Sequence, residues 1–376
     1  MKDYTLPIAF LLAPFLILST GYIWTGQQIG LMVVFLVLMA SMIENRWIKV
    51  FLSYVVAWQV CLFVNALIHP REFEQAIASG YTQVLFMLAG AMVYLTASKS
   101  KIKNETFFNI ICVAAIIQTA TALLQCLGVD IVQKGLSLIA PAKSSIGDRA
   151  FVGWLGNPNY LAAFLAMSIP FLFRKWWCFA LPLIVSALVL SHTSAAAVSA
   201  GIGMAAFSAY LYKNEKLTGR EFMLSLTLAS LWVVWYAFLF HPSIVQVAGS
   251  PAAGSPLAGT PAESGANLVR GDIWAYALSQ VTSTWSGFSL GLGPGAAWKY
   301  NYPLHSEWVT LFHQFGVIGI VLAAGYLLTA PRKNAYLFPA FIIGIINMAG
   351  NATLHIPVTA FLICMIAGLL ERERNG

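Results

Sequence analysis

Apolar residues follow one another along this chain in long runs, and short polar segments separate the runs. A helix that crosses a membrane needs about 20 mostly apolar residues, and the chain offers such runs from Pro7 to Leu370. We predict about twelve spanning helices, at residues 7–24, 27–43, 49–68, 81–97, 107–127, 157–173, 176–191, 194–212, 222–240, 304–329, 335–350 and 353–370. The predicted fold class is all-α, a polytopic membrane helical bundle that forms a single integral-membrane domain over residues 1–376.

The composition favours a protein whose surface faces lipid. Hydrophobic residues make up 59% of the chain and charged residues only 9%, whereas soluble proteins carry about 25% charged residues. The five cysteines lie inside apolar runs without CxxC spacing, which indicates packing residues and neither a disulfide framework nor a zinc site. The first apolar run has no small-residue cleavage site, so we expect a retained span.

The distribution of lysine and arginine predicts the orientation of the spans. Short cytoplasmic loops of membrane proteins are enriched in both residues. With the N-terminus inside, 15 of the 21 Lys and Arg residues fall on the cytoplasmic side, and the acidic residues divide evenly. We therefore predict that both termini are cytoplasmic. The net charge of +7 reflects this topology and does not indicate nucleic-acid binding.

Two segments on the outer side are long enough to carry function. They are residues 128–156 and the loop of residues 241–303 between the ninth and tenth spans. Within the second, residues 249–265 are rich in Gly, Pro, Ala and Ser and contain no aromatic residue. Because this composition is typical of a flexible tether, we expect the chemistry on either side of it.

The first motif, "GDRAFVGWLGNPNYLAAFLAMSIPF", begins at Gly147 and leads into the sixth span. Pro158 suits the first turn of a helix, and Asn157 can cap the free N–H groups there. Such a helix start, with Arg149 close in sequence, is a candidate anion site. The alternative interpretation is that Asn157 is only a cap and Arg149 only a loop charge.

The second motif lies in the outer loop after the tether. It begins with "LVRGDIWAYAL" (268–278), where Arg270 precedes an amphipathic stretch, and continues with "GFSLGLGPGAAW" (287–298). Gly291, Gly293 and Gly295 in the second part free the backbone to approach another group closely. The spacing of these glycines does not match a nucleotide-binding fingerprint, because no strand-turn-helix context surrounds them.

The third motif, "PLHSEWVTLFHQFGVIG" (303–319), places His305 and Glu307 at the outer mouth of the tenth span. Trp308 and Phe312 follow the histidine at helical spacing and predict an aromatic-lined face. An imidazole there can accept a proton from an attacking hydroxyl. An interfacial histidine that hydrogen-bonds a loop carbonyl is an equally open alternative.

Two pairs of polar residues add to these motifs. Gln118 and Gln125 are seven residues apart on the fifth span and should share a face; such groups are often functional, although helix–helix hydrogen bonding is the favoured alternative. Arg149 and Arg270 are predicted to lie on the outer side, which is an exception to the enrichment of arginine in cytoplasmic loops. Bidentate binding of diphosphate oxygens is a physical reason for an arginine in that position.

These residues resemble the O-antigen ligase and polymerase superfamily of bacterial inner-membrane glycan transferases. Three signatures of the superfamily occur in the expected order, namely "RAFVGWLGNPNYLA", "RGDIWAYAL" with "GLGPG", and "HSEWVTLFHQFGVIG". The resemblance extends over residues 80–370. It implies a GT-C-like bundle in the bacterial inner (cytoplasmic) membrane, with a periplasmic active site.

The resemblance implies transfer of a glycan from undecaprenyl diphosphate to an acceptor hydroxyl, without a metal or other cofactor. His305 would be the catalytic base, and Arg270 and Arg149 would hold the diphosphate. The remaining implied roles are pocket shaping by Asn157 and Asn159 and support from Glu307, Trp274 and Gln125. The absence of an Asp-x-Asp motif fits a metal-independent glycosyltransferase. One departure is "SHTSAAA" (191–197), where many relatives carry an arginine.

Several functions stay open within and outside this superfamily. Compact length and one developed outer loop favour ligation of O-antigen to lipid A core in lipopolysaccharide biosynthesis over polymerisation of repeat units. Protein O-oligosaccharyltransferases usually have Gln-Pro-Asn where this chain has Asn157, Pro158 and Asn159, and many continue beyond the position of Gly376. A transporter or flippase for lipid-linked sugars would show inverted repeats and charges at mid-membrane, and a membrane scaffold would leave the outer arginines unexplained.

Overall fold

The described part of the chain is entirely helical apart from the turns and short connections between helices. A computed structural model describes residues 42–68, 87, 89–127, 129, 153–155, 158–191, 193–214, 216, 218–220, 223, 227, 266–293, 304, 306–350 and 357–375. No β-strand occurs among them, as the sequence predicts. The tether (249–265), the first predicted span and most of the second and ninth lie outside these residues.

The bounds of eleven α-helices can be given from these described ranges. In chain order they are α1 (Arg46–Ile68), α2 (residues 89–99), α3 (Asn104–Cys126), α4 (Pro158–Leu172), α5 (Leu181–Leu190), α6 (Ser194–Lys213), α7 (Ala266–Thr282), α8 (Trp285–Leu290), α9 (Glu307–Thr329), α10 (Leu337–Asn347) and α11 (Pro357–Asn375). Short 3-10 helices at Gly153–Leu155 and Lys175–Ala180 precede α4 and α5.

Three of the described helices are long and apolar enough to cross a membrane. They cover Asn104–Gln125, Ala195–Lys213 and Glu307–Thr329. Shorter apolar helices lie between them, so the described structure is that of an all-helical protein with membrane-spanning candidates. The count of twelve spans stays a prediction.

The chain divides into two compact units, each assembled from segments that are distant in sequence. Unit 1 comprises Met1–Gly21, Ala89–Val234 and Ala330–Gly376, and unit 2 comprises Tyr22–Leu88 and Trp235–Thr329. Unit 1 therefore holds α2 to α6 with α10 and α11. Unit 2 holds α1 with α7, α8 and α9.

Helix α4 is the core of unit 1. Every residue from Leu161 to Leu172 is buried, as expected for a helix that is apolar on all sides. It packs against α3, α5, α6, α10 and α11. Gly344 on α10 permits one close approach, since a side chain there would collide with Met167 of α4 and Ile363 of α11.

Charged residues join the helix ends at one side of unit 1, which we name the basic end. Arg174 forms an ion pair with Glu105 at 3.1 Å, and the Asn104 and Asn334 amides donate to the carboxylate of Glu373. Arg372 donates to the backbone carbonyls of the loop between α2 and α3. Burial lowers the pKa of the Arg372 guanidinium, while the carboxylate of Glu373 acts in the opposite direction. These contacts bring four segments together at one end of unit 1: the α2–α3, α4–α5 and α9–α10 connections and the end of α11. The charge pattern predicts that all four lie on the cytoplasmic side of the membrane.

Two helix boundaries differ from the predicted spans for identifiable reasons. The predicted helix at residues 176–191 begins as a 3-10 helix, and α5 follows only from Leu181. Pro182 lacks the N–H that would bond to Cys178 in an α-helix, and its ring would clash with that carbonyl. Helix α11 continues past the predicted end at residue 370 because Arg372 has partners in unit 1.

In unit 2, α9 packs against α1, α7 and α8. The rings of Phe51 and Phe315 meet edge to face with centroids 5.6 Å apart. Nearer the C-terminal end of α9, the indole of Trp47 packs against Gly325, and a side chain at residue 325 would clash with it. Aromatic side chains of α1 therefore cover two levels of the α9 surface.

Candidate functional site

The predicted site residues divide between the two units and the undescribed part of the chain. His305, Arg149 and Asn157 lie outside the described residues. Arg270 belongs to α7, where its backbone is described and its side chain is not. The other four predicted residues are Asn159 and Gln125 in unit 1 and Trp274 and Glu307 in unit 2.

Gln125 holds the turn that precedes α4. Its Oε1 accepts from the Gly153 N–H at 2.8 Å, and its Nε2 donates to the Gly153 carbonyl at 3.2 Å. Gly153 has φ +57°, and a Cβ there would lie 2.7 Å from Oε1 of Gln118, so a glycine is required. The two glutamines share a face as their spacing predicts. Gln125 uses that face for hydrogen bonding within the bundle.

Asn159 connects the start of α4 with the start of α6. Its Oδ1 accepts a hydrogen bond of 3.0 Å from Oγ1 of Thr193, the residue that precedes α6. Thr193 belongs to the "SHTSAAA" segment (191–197). The structure therefore places Asn159 beside this segment, and the sequence motifs gave no signal for that contact.

These contacts define a polar end of unit 1, comprising Gln125, Gly153, Asn159 and Thr193. It lies opposite the basic end, because α3 runs from Asn104 at one to Gln125 at the other. At 1.5 Å per residue the separation is about 30 Å, which matches the hydrocarbon thickness of a bilayer.

In unit 2, a side-chain hydrogen bond joins the first part of the second motif to the third motif. The indole Nε1 of Trp274 donates to the carbonyl of Leu304 at 2.5 Å. Trp274 follows Arg270 by one helical turn, so both Cα positions lie on the same face of α7. Leu304 directly precedes His305. An apolar cluster supports the contact, formed by Ala277, Leu304, Ile273 and Val309.

The start of α9 buries a carboxylate. Ser306 precedes the helix, and its hydroxyl accepts a long hydrogen bond from the Val309 N–H at 3.4 Å. Glu307 in the first turn is only 3% exposed. A negative charge at this helix end is favoured by the aligned peptide dipoles. The carboxylate is two residues from His305 in the sequence, within a segment already fixed by Trp274.

Helix α9 is broken at Gly316, whereas the sequence predicts one continuous span over residues 304–329. Gly316 has φ +60° and ψ −160°, outside helical geometry. The carbonyls of His313 and Gln314 accept instead from the N–H groups of Leu292 at 2.9 Å and Gly293 at 3.0 Å. The glycines of the second motif thus approach the broken helix of the third motif, and the backbone hydrogen bonds lost at the break are made to a neighbouring segment.

The contact between residues 290–293 and the break at Gly316 is called the α9 joint below. Two aromatic residues of α1 also take part in it. The hydroxyl of Tyr54 donates to the carbonyl of Leu290 at 2.7 Å and lies 3.4 Å from that of Phe315. The indole of Trp58 also donates to Leu290, at 3.2 Å. Sequence reasoning missed Tyr54 and Trp58, because nothing in the local pattern of α1 reports a partner more than 230 residues away.

Replacement of Gln125 by alanine is expected to lower the stability of the protein by at least about 2 kcal/mol. It would leave the buried N–H and carbonyl of Gly153 without partners, and each unsatisfied group costs about 1–3 kcal/mol. The measurement is the thermal unfolding midpoint of the purified protein in detergent. Thr106→Ala, on an exposed position of the same helix, is the control; equal midpoints for the two variants would contradict the role given to Gln125.

In unit 1, Gln125 is hydrogen-bonded to the turn before α4, and Asn159 to the residue before α6. In unit 2, helix α7, which carries Arg270, is hydrogen-bonded to Leu304, the residue before His305. Each of these links is made by a side chain acting on backbone or on a neighbouring helix. Comparison of the chain with protein-family models, with curated proteins and with solved structures found no match.

Proposed function

We propose that this protein is a metal-independent membrane glycosyltransferase that moves a glycan from undecaprenyl diphosphate to an acceptor hydroxyl. The acceptor favoured is lipid A core, which makes the reaction O-antigen ligation. The observation that carries the proposal is the hydrogen bond from Trp274 to Leu304. It supports a site in which an arginine of one motif and a histidine of another act on the same donor.

The proposed chemistry needs two functions from the protein. The acceptor oxygen attacks the anomeric carbon of the donor sugar, its proton passes to the imidazole of His305, and the bond from that carbon to the diphosphate breaks. Undecaprenyl diphosphate leaves with both electrons of the bond. Arg270 and Arg149 stabilise the developing charge on its oxygens, and Glu307, which is buried at the start of α9, would support the segment that carries His305.

The proposed setting is a GT-C-like bundle of about twelve spans in the bacterial inner membrane. The basic end of unit 1 would face the cytoplasm and the polar end the periplasm, with the loop of residues 241–303 also periplasmic. Two features support this orientation, namely the excess of Lys and Arg at one end and the uncharged hydrogen-bonding groups at the other. Asn157 and Asn159 would shape the periplasmic pocket.

Analysis of surface glycans in a strain lacking this protein tests the proposal. A ligase is expected to leave lipid A core without long-chain glycan, while lipid-linked polymer accumulates. Core capped with a single repeat unit would instead identify the polymerase alternative, and glycan lost from a protein would identify an oligosaccharyltransferase. Unchanged lipopolysaccharide, exopolysaccharide and glycoproteins would contradict glycan transfer altogether.

The variant Arg270→Lys is expected to lower the rate of transfer about tenfold to 100-fold. Lysine keeps the charge but replaces a planar fork, which binds two diphosphate oxygens, by a single ammonium group. The measurement is product formation from a lipid-linked donor by purified protein. Lys299→Arg, which preserves charge at another position of the same loop, is the control and should retain full activity; equal activity of both variants would remove Arg270 from the site.

The break in α9 favours a transporter or flippase for lipid-linked sugars as the second candidate, because transporters often use discontinuous helices. In such helices the freed backbone groups bind substrate or ions. Here the carbonyls of His313 and Gln314 already accept from Leu292 and Gly293, which favours a structural joint. Movement of donor lipid across proteoliposomes, without transfer to any acceptor, would establish the second candidate.

A further inference from the structure

The end of α2 and the loop that leads to α3 carry three exposed lysines. Lys99, Lys101 and Lys103 are exposed, whereas the alternating residues Ser100 and Ile102 are partly buried. Lys103 has an extended backbone, with φ −61° and ψ 140°. Lys99 is the last residue of α2, and Ile102 lies at a bend where its N–H donates to the Ser100 hydroxyl at 3.1 Å.

Arg372 holds this loop in place from α11. Its Nη1 donates to the carbonyl of Ser100 at 2.9 Å and to that of Ile102 at 2.7 Å, and its Nη2 donates to the side chain of Asn104. Asn104 in turn donates to Glu373. The inner side of the loop is thus fixed by charge-assisted hydrogen bonds, and the lysine side is left outward.

The three lysine ammonium groups make no hydrogen bond or ion pair with the described part of the chain. The ion pairs found there join Arg174 to Glu105 and Arg374 to Glu371. Three like charges therefore lie within five consecutive residues and attract an anionic partner. The loop directly precedes the candidate span Asn104–Gln125, which would put it at the edge of the hydrocarbon layer.

Exposed apolar residues also lie on both helices that adjoin this loop. On α2, Met92 is 52% exposed and lies two turns from Lys99 on the same face; on α3, Val113 and Ile117 are 44% and 52% exposed and share a face. A phospholipid offers the matching arrangement, with an anionic headgroup above apolar chains. A soluble anion would use the lysines and leave these apolar faces uncovered.

We propose that Lys99, Lys101 and Lys103, oriented by Arg372, bind the phosphate of anionic phospholipids whose acyl chains lie along Met92, Val113 and Ile117. This binding site is independent of the glycan-transfer proposal, since it lies at the basic end. Electrostatic attraction of lysines to an anionic membrane surface contributes additively for each residue. The arrangement therefore discriminates against zwitterionic phosphatidylcholine, whose headgroup carries no net charge.

Native mass spectrometry of the full chain in neutral detergent tests the site by titration with phosphatidylglycerol. The variant K99Q/K101Q/K103Q is expected to raise the Kd for the first phosphatidylglycerol about tenfold to 100-fold. K213Q/K216Q/R220Q removes three exposed positive charges elsewhere and should bind as the unaltered protein does. K99R/K101R/K103R keeps the charge and should also bind normally.

Two comparisons identify the source of the anion. Phosphatidylcholine should bind equally to all variants, and inorganic phosphate should not displace phosphatidylglycerol at equal concentration. Equal weakening in both neutralised variants would reduce the effect to net charge and overturn the site. Displacement by free phosphate, or an unchanged Kd in K99Q/K101Q/K103Q, would overturn it as well. If that variant does not fold, K101Q alone should raise the Kd several-fold, and an unchanged Kd there would overturn the proposal.

Discussion

Replacement of His305 by alanine is expected to slow glycan transfer by roughly 100-fold to 10,000-fold while the protein still inserts in the membrane. This is the usual contribution of a positioned general base, and the acceptor hydroxyl has no other proposed proton acceptor. The site around the residue supports that role, because the preceding Leu304 is hydrogen-bonded to Trp274 and the nearby Glu307 is buried. The measurement is a single-turnover rate with lipid-linked donor and purified protein.

His241→Ala is the matched control, since the predicted topology also puts that histidine on the outer side. It should transfer glycan at the unaltered rate. Equal rates for the two variants would show that an outer imidazole is dispensable and would remove the proposed base. A loss in both would point to a general effect of histidine replacement on the outer surface.

Replacement of Gly316 by alanine is expected to lower stability by about 3–5 kcal/mol, at the upper end for a single substitution. A side chain at φ +60° and ψ −160° costs about 1–3 kcal/mol by itself. The added Cβ would also lie 2.5 Å from the Ser289 carbonyl oxygen and 2.6 Å from the Gly291 nitrogen. Both are backbone atoms, so neither can rotate away. The measurement is the fraction of monodisperse protein that survives a series of heating steps.

Gly219→Ala provides the control for that experiment. Gly219 has no positive φ, and the nearest atom to an added Cβ is a Tyr212 ring carbon at 3.9 Å. This variant should survive heating as well as the unaltered protein. If Gly316→Ala survived equally well, α9 would be free to straighten and the joint with Gly291 would carry little of the stability.

The starts of several helices could be predicted from the sequence because local chemistry determines them. Pro158 begins α4, as its position one residue into the predicted span suggests. Helix α6 covers Ser194–Lys213 against a predicted 194–212, and α1 reaches Ile68 as predicted. The pairing of Gln118 and Gln125 on one face follows from their spacing.

The break in α9 and its partners could not be predicted in the same way. A glycine within an apolar run also fits an unbroken helix, so Gly316 alone carries no signal for the break. The contacts that favour it come from Tyr54 and from Leu292, which are remote in sequence or belong to another motif. The link from Asn159 to Thr193 likewise depends on packing between helices. Pro182, in contrast, does indicate from the sequence that an α-helix cannot continue through residues 178–182, and the 3-10 helix before α5 agrees with this.

The joint between residues Gly291–Gly293 and the broken helix α9 changes how loss-of-function variants at glycines of the second and third motifs should be interpreted. Gly291 and Gly316 each lie against the backbone of the other motif, so a larger residue at either position would disrupt a structure that both motifs share. An inactive glycine variant is therefore no sign of lost contact with a sugar or a lipid. Only variants that leave this scaffold intact can report on recognition.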